Sequence, residues 1–230
     1  MRAALLLILT SIALAQSAGE VETTTEPHHH LVFSNDQVRV FNVEVAPHDQ
    51  TLLHRHLHDY IFVTIGASEI TNRVVGKDPV TVKLTDGDTR FLPAPFEHAV
   101  ANPSDKPFRN VTIELLQDEQ LRRTPPHSDP DRGLEILPGG TAEILFVKDG
   151  VRVSEFELQP GGVVPSHHHA GPHLVIALTD YELRSDVAGK PPLTLSYKAG
   201  ESKWIPGGFT HTLTNIGHHP AKFVTLEFPQ

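Results

Sequence analysis

Pro165-Ser166-His167-His168-His169-Ala170-Gly171-Pro172-His173, answered further on by Gly208-Phe209-Thr210-His211, is the stretch on which the reading of this chain turns. On an extended strand His167 and His169 leave the same face, because side chains alternate. His173 follows a Gly-Pro turn, and His211 can close the set from a strand distant in sequence. Four neutral nitrogens converging on one point suit a borderline divalent metal. The plain alternative is a run of solvated histidines, and the first half of the chain argues against it.

His54-Arg55-His56 lies 113 residues before His167-His168-His169, and His98 precedes His211 by the same interval (211 − 98 = 113). At that one offset Val38-Arg39-Val40 matches Val151-Arg152-Val153, and Gly76-Lys77 matches Gly189-Lys190. Val111-Thr112 likewise matches Val224-Thr225, and Gly87, Pro93, Phe96 and Asn102 match Gly200, Pro206, Phe209 and Asn215. A solvated cluster would not recur in register with its Gly, Pro and Asn neighbours. The chain reads as a tandem duplication with the histidines in its framework. His28-His29-His30 has Thr141, Ala142 and Glu143 as its counterparts, so it is read as lying outside the repeated site, solvated or binding metal adventitiously.

Residues Met1 to Ala15 read as a secretory signal peptide, with Arg2 as the positive end, Ala3 to Leu14 as the apolar stretch and Ala13-Leu14-Ala15 as the cleavage site. The run is shorter than the ~20 apolar residues that span a bilayer, so no membrane anchor is expected, and the protein is placed in the periplasm or outside the cell. The absence of cysteine excludes disulfides, thiolate ligands and a cysteine nucleophile. The one methionine is the initiator, which removes thioether ligation. A formal charge of −9, with no basic groove, argues against nucleic acid as a partner.

Residues 16–27 read as a polar, flexible lead-in. After them come short β-branched and aromatic runs with period-two alternation, including Leu31 to Phe33, Val38 to Val45, Tyr60 to Ile65, Val80 to Leu84 and Val111 to Leu115. Turn signals such as Asn35-Asp36 and Asp86-Gly87-Asp88 separate them, and no segment shows a core helix. The expected fold is all-β: two tandem jelly-roll barrels over 28–117 and 141–230, joined by a Pro- and Gly-containing linker over 118–140.

With these residues in view the chain resembles the cupin superfamily, specifically a bicupin, whose barrel is the double-stranded β-helix. The family's second motif is intact from Gly200 through Pro206, Gly208 and His211 to Asn215. In the first half it runs Gly87, Pro93, His98, Asn102, with Pro95 in place of the second glycine. The first motif is looser: His54 and His56 match, as do His167 and His169, but Tyr60 and His173 stand at the position of the family's glutamate. The resemblance implies His54, His56 and His98 as ligands of one metal, and His167, His169 and His211 as ligands of a second. The acidic ligand carries over in neither half.

An all-imidazole set favours Fe, Cu, Ni or Zn and disfavours Mn, and it leaves a stronger Lewis acid than a set containing glutamate. His173 as a fourth ligand would nearly close the second site, whereas Tyr60 would leave the first with an open position; chemistry is therefore expected in the first barrel. His58 shares strand parity with His54 and His56 and is read as a ligand or a rim residue. Phe62 and Thr64 in the first half, and Val175 and Ala177 in the second, are read as pocket walls or as plain barrel core. The repeated acids Glu44/Glu157, Glu69/Glu182 and Glu114/Glu227 point to structural work, and none is nominated as an acid or base. Glu97, beside His98, is either a proton-handling neighbour or a solvated acid.

No serine triad, phosphate loop or dinucleotide fingerprint appears. The leading expectation is a metal-dependent enzyme, dioxygenase- or lyase-like, acting on a small organic substrate. The alternative is a non-catalytic metal- or small-ligand-binding protein. A homodimer through exposed strands is what the resemblance implies.

Overall fold

The computed structural model describes residues 19–123 and 132–230. The signal-peptide reading of Met1 to Ala15 and the middle of the expected linker lie outside these residues.

Both halves are antiparallel β-barrels made of two facing sheets, as the alternation and turn spacing lead one to expect. In barrel one, strands Val38–Val45, Phe108–Leu115, Tyr60–Thr64 and Thr89–Leu92 form one sheet in that order, with His29–Ser34 outside Val38–Val45. The facing sheet runs His54–His56, Phe96–Ala101, Ser68–Val74, Val80–Leu84. Barrel two repeats both orders with strands shifted by 113: Val151–Leu158, Ala221–Glu227, His173–Ala177, Ser202–Ile205, and Val163–His169, Phe209–Asn215, Tyr181–Val187, Leu193–Tyr197. The duplication read in the sequence is therefore a duplication of register.

Period-two alternation here serves two cores at once. On Val38–Val45, Phe41, Val43 and Val45 fill barrel one, while Val38 and Val40 face the other barrel. The inter-barrel core takes matched positions from each repeat, among them Val38 and Val151, Ile61 and Leu174, Ile113 and Leu226, Leu115 and Phe228. It is an interface of one surface with its own copy, as in a two-fold dimer. Each fully buried side chain of this size contributes roughly 1.5–3 kcal/mol, so the two barrels stabilise one another through their apolar sheets. Phe33 stacked on Trp204, with ring centroids 6.0 Å apart, extends the same seam.

The second motif's asparagines explain themselves structurally. Asn102 Nδ2 donates to the carbonyls of Val45, Ala46 and Lys106, and Asn215 Nδ2 to those of Leu158 and His219. Each buried amide ties a loop to the strand that precedes the histidine pair. Gly87 and Gly200, with φ of 82° and 90°, occupy left-handed turns that a side chain would strain.

The segment expected to be a flexible lead-in is ordered where it is described. Val21–Glu22 is a short strand pairing parallel to His54–His56, with Val21 opposite His54, and Thr23–Thr25 makes a single 3₁₀ turn. Among the described residues barrel two has no such cover; Gly133–Leu137 instead pairs antiparallel with Gly140–Lys148. The expected linker is likewise structured at its two ends, as helix Asp118–Leu121 and strand Gly133–Leu137. No helix among the described residues is long and apolar enough to cross a membrane.

Candidate metal centres

In barrel two the antiparallel pairing of Val163–His169 with Phe209–Asn215 puts His167 opposite His211. The Nε2 atoms of His167, His169 and His211 form a triangle with edges of 3.0, 3.1 and 3.0 Å. That is the separation produced by three metal–nitrogen bonds of about 2.1 Å at roughly right angles. Every Nδ1 in the trio faces a partner: the Pro165 carbonyl at 2.8 Å, a Glu227 carboxylate oxygen at 3.0 Å, and the Ser185 hydroxyl at 2.8 Å. With the Nδ1 protons so engaged, three Nε2 lone pairs point at one another, an arrangement a cation relieves.

Barrel one builds the same centre from the same positions. His54, His56 and His98 Nδ1 face the Leu52 carbonyl at 2.9 Å, Glu114 at 3.2 Å and the Asn72 side-chain oxygen at 2.9 Å. Leu52, Glu114 and Asn72 stand 113 residues before Pro165, Glu227 and Ser185. His98 Nε2 lies 3.4 Å from His56 Nε2, and the buried His54 Nε2 has no hydrogen-bond partner. An orphaned buried nitrogen among neutral imidazoles fits a metal ion.

Burial favours the neutral form of five of these rings, His54, His56, His98, His167 and His211. It pushes His54 and His211 down to about 3, with the neighbouring histidines adding to the effect. His56 and His167 are lowered by burial, and His98 is lowered well below the ordinary histidine range. Neutral imidazole is the form that binds metal.

Glu114 and Glu227, read from the sequence as structural acids, orient the middle histidine of each centre. Behind them stand Arg39, 3.1 Å from Glu114, and Arg152, 3.7 Å from Glu227. The recurring Val-Arg-Val tripeptides thus supply the last member of an Arg–Glu–His relay in each barrel. Burial works against ionisation of both carboxylates, but the histidine and arginine contacts outweigh it and hold them below the usual range.

The expectations for four residues need correction. His173 is not a converging ligand: its ring lies on His169 with centroids 3.9 Å apart and planes 16° from parallel. Parallel rings aim their in-plane lone pairs at different points. Tyr60 occupies the same place in barrel one, 3.9 Å and 15° over His56, and burial together with Glu114 raises its phenol so that it stays protonated. His58 points away from the centre, with Nδ1 3.9 Å from Asp118, because the strand ends at His56 and parity lapses in the bend that follows. Fourth, His29 is not a solvated outlier; its ring centroid lies 4.7 Å from that of His54, in the mouth of the centre.

Phe62 lines the chamber of barrel one and Val175 that of barrel two. Thr64 and Ala177, two residues further along, are fully buried, and Ala177 packs in the barrel-two core. Arg55 and His168 point outward as parity requires: Arg55 pairs with Glu20 and Glu97, and His168 Nδ1 faces the Thr210 hydroxyl. Glu97 is therefore an outer ion-pair partner.

The two chambers differ. Barrel one holds a cavity of about 310 Å³ beside its histidines, with Val43, Leu84 and Asn110 in its wall and Arg90 as its one Arg or Lys. Barrel two keeps about 60 Å³. At the equivalent positions Phe156, Tyr197 and Phe223 replace those three residues, and Tyr181 replaces Ser68. Phe156 and Phe223 stack at 5.0 Å, and Tyr181 meets Tyr197 at 5.2 Å and Phe223 at 5.5 Å, so four rings fill the space.

No protein-family model matches the sequence, and no curated protein matches it. Solved structures do. An oxalate decarboxylase from Lactobacillus farciminis in a formate complex superposes with a TM-score of 0.61 at 16% identity, covering 85% of this chain and 78% of that one. The Bacillus subtilis oxalate decarboxylase, studied for its Mn(II) centres, gives 0.59 at 14%, covering 90% and 76%. A cupin 2 conserved barrel domain protein from Leptotrichia buccalis gives 0.54 at 14%, covering 87% and 88%. The chain has the cupin fold, built twice in one polypeptide.

Proposed function

We propose that this chain is a secreted or periplasmic two-barrel metalloenzyme that acts on a small organic acid in barrel one, while barrel two holds a metal without room for substrate. The observation that carries this reading is the contrast between a 310 Å³ chamber and a 60 Å³ one beside equivalent histidine sets. A chamber of the first size takes a small ligand; the second takes a few waters. Arg90, exposed at the chamber wall and 3.7 Å from Asp88, is the one Arg or Lys there to meet a carboxylate. Phe62, Val43 and Leu84 cover the apolar part of such a molecule and exclude water. Asn72 and Glu114 hold the ligand rings in one tautomer.

A bound divalent ion would supply Lewis acidity, with oxygen or lyase chemistry as its two outlets. The preference against manganese drawn from an all-neutral donor set loses force once Glu114 and Glu227 are placed. Each returns a negative charge to its centre one hydrogen bond further out, as carboxylate–histidine–metal triads do. Manganese, present in the Bacillus subtilis protein of the same fold, therefore heads the candidate set with iron, followed by copper, nickel and zinc.

The test is metal analysis of the full chain purified from its native compartment, followed by oxygen-uptake and carbon dioxide-release assays over small aliphatic and aromatic acids. Turnover abolished by His98→Ala and retained in His211→Ala supports the reading. Two near-stoichiometric metals with no acid bound or turned over in barrel one would instead make the protein a metal-binding module.

A further inference from the structure

We propose that His29 is a fourth nitrogen donor to the barrel-one centre, set in place by the arm over 21–26 that precedes its strand and has no counterpart among the described residues of barrel two. This rests on the reading of barrel one as a metal site. The duplicated frame places Ala142 at the matching position, on strand Gly140–Lys148, so the histidine belongs to barrel one alone. Its donor atom and those of His54 and His56 all lie within 4.8 Å of one another. Its ring centroid is 4.7 Å from that of His54 and 5.9 Å from that of His56, close to the 4.5 to 5.4 Å separating the rings of the His54–His56–His98 trio itself.

The neighbourhood of His29 is built as ligand surroundings are. Its Nδ1 lies 2.7 Å from the Glu26 carboxylate, which leaves Nε2 free for the centre. Glu26 is buried and also takes the amides of His28 and Leu52 and the His28 ring. The Glu26–His29 pair therefore repeats the Glu114–His56 and Glu227–His169 pairs, in which a carboxylate fixes the tautomer of a ring aimed at the centre. Two further contacts tie the arm to the ligand strand: Val21 pairs with His54, and the Thr23 hydroxyl donates to the Arg55 carbonyl and lies 3.2 Å from His56 Nδ1. The place left by the family's missing glutamate, filled by the stacked Tyr60, is thus made good from another strand. The two centres differ in kind: four imidazoles in barrel one and three in barrel two.

The test uses the full chain carrying His211→Ala to silence barrel two, with Cu(II) as the probe. Binding is followed by chelator competition and the donor set by pulsed EPR of the nitrogen couplings. Adding His29→Ala or the bulkier His29→Gln is expected to lower Cu(II) affinity at least tenfold and to remove one nitrogen coupling, with an unchanged far-UV spectrum. Glu26→Gln is expected to lower affinity less and to retain the coupling. Affinity within twofold of the parent and an unaltered EPR spectrum in both His29 variants would overturn the proposal. If His98→Ala still abolished binding in that case, the metal site of the proposed function would survive without the fourth donor. No Cu(II) bound in barrel one at all would remove both.

Discussion

The imidazole of His173 lies flat on that of His169, centroids 3.9 Å apart, as the phenol of Tyr60 lies on His56 at 3.9 Å in the other barrel. One position in the duplication thus carries a flat ring whose task is to press a ligand histidine into its orientation. Edge-on coordination by His173 is incompatible with that stacking. Its buried Nδ1 also has no hydrogen-bond partner, a cost of about 1–3 kcal/mol. His173→Phe is therefore expected to keep the metal content of barrel two unchanged and to hold or raise the melting temperature. Elemental analysis and calorimetry check it; metal lost from barrel two in His173→Phe would restore His173 as a ligand.

Glu114→Gln and Glu227→Gln keep size and shape but remove the charge facing the middle histidine. Each is expected to weaken metal binding in its own barrel by roughly 10–100-fold, the usual effect of a carboxylate behind a ligand histidine. Arg39→Met should act in the same direction and more weakly, because the His56 contact does most to hold Glu114 ionised and Arg39 adds to it from behind. Competition with a chelator, barrel by barrel in His98→Ala and His211→Ala backgrounds, measures the effect.

How far the sequence could be read follows from this geometry. The histidine trios are legible because strand parity and one gapless offset bring them together without knowledge of depth or angle. The relay behind them was written just as openly, since Arg39/Arg152 and Glu114/Glu227 recur at that same offset. Recurrence marks a structural task, and here that task is the orientation of the histidines at each centre. His58 failed because parity holds only while the strand lasts. His29 failed for the opposite reason: a search for repeats discounts a residue that only one copy possesses. The unequal chambers could have been inferred from Phe156, Tyr181, Tyr197 and Phe223 standing where barrel one has Val43, Ser68, Leu84 and Asn110.

The metal-free chain should be acid-labile from a pH well above the carboxylate range. His54 and His211 are held down to about 3, whereas in the unfolded chain they titrate near 6.5. Between those values the unfolded state binds more protons, so stability rises with pH and falls on acidification. Each such ring contributes a slope of up to about 1.4 kcal/mol per pH unit within that window. Glu114 and Glu227, lowered in the fold, add losses in the same direction below about pH 4.5. Urea melts of the metal-free protein from pH 7 to 4 are expected to show midpoints that fall steadily, with a shallower fall in His54→Leu. A midpoint independent of pH down to 5 would contradict the assignment of neutral, buried rings.

Asn110 and Phe223 hold matched positions, one beside an open chamber and the other in a stack with Phe156. Exchanging their identities separates substrate binding from metal binding. Asn110→Phe places a ring in barrel one, where Val43 and Leu84 leave room for it, and is expected to abolish binding and turnover of small acids while metal content is retained. The Thr112 hydroxyl, which donates to Asn110 at 2.7 Å, is left with the cavity as its neighbour, so a loss of about 1 kcal/mol in stability accompanies the change. Phe223→Asn does the reverse at a higher cost. It removes one of four packed rings and leaves a polar group among Tyr181, Tyr197 and Phe156, a change of about 3–5 kcal/mol. Metal analysis and ligand titration on the two variants decide the matter. If Asn110→Phe bound and turned over small acids like the parent, barrel one would not be the reaction chamber, however open its cavity.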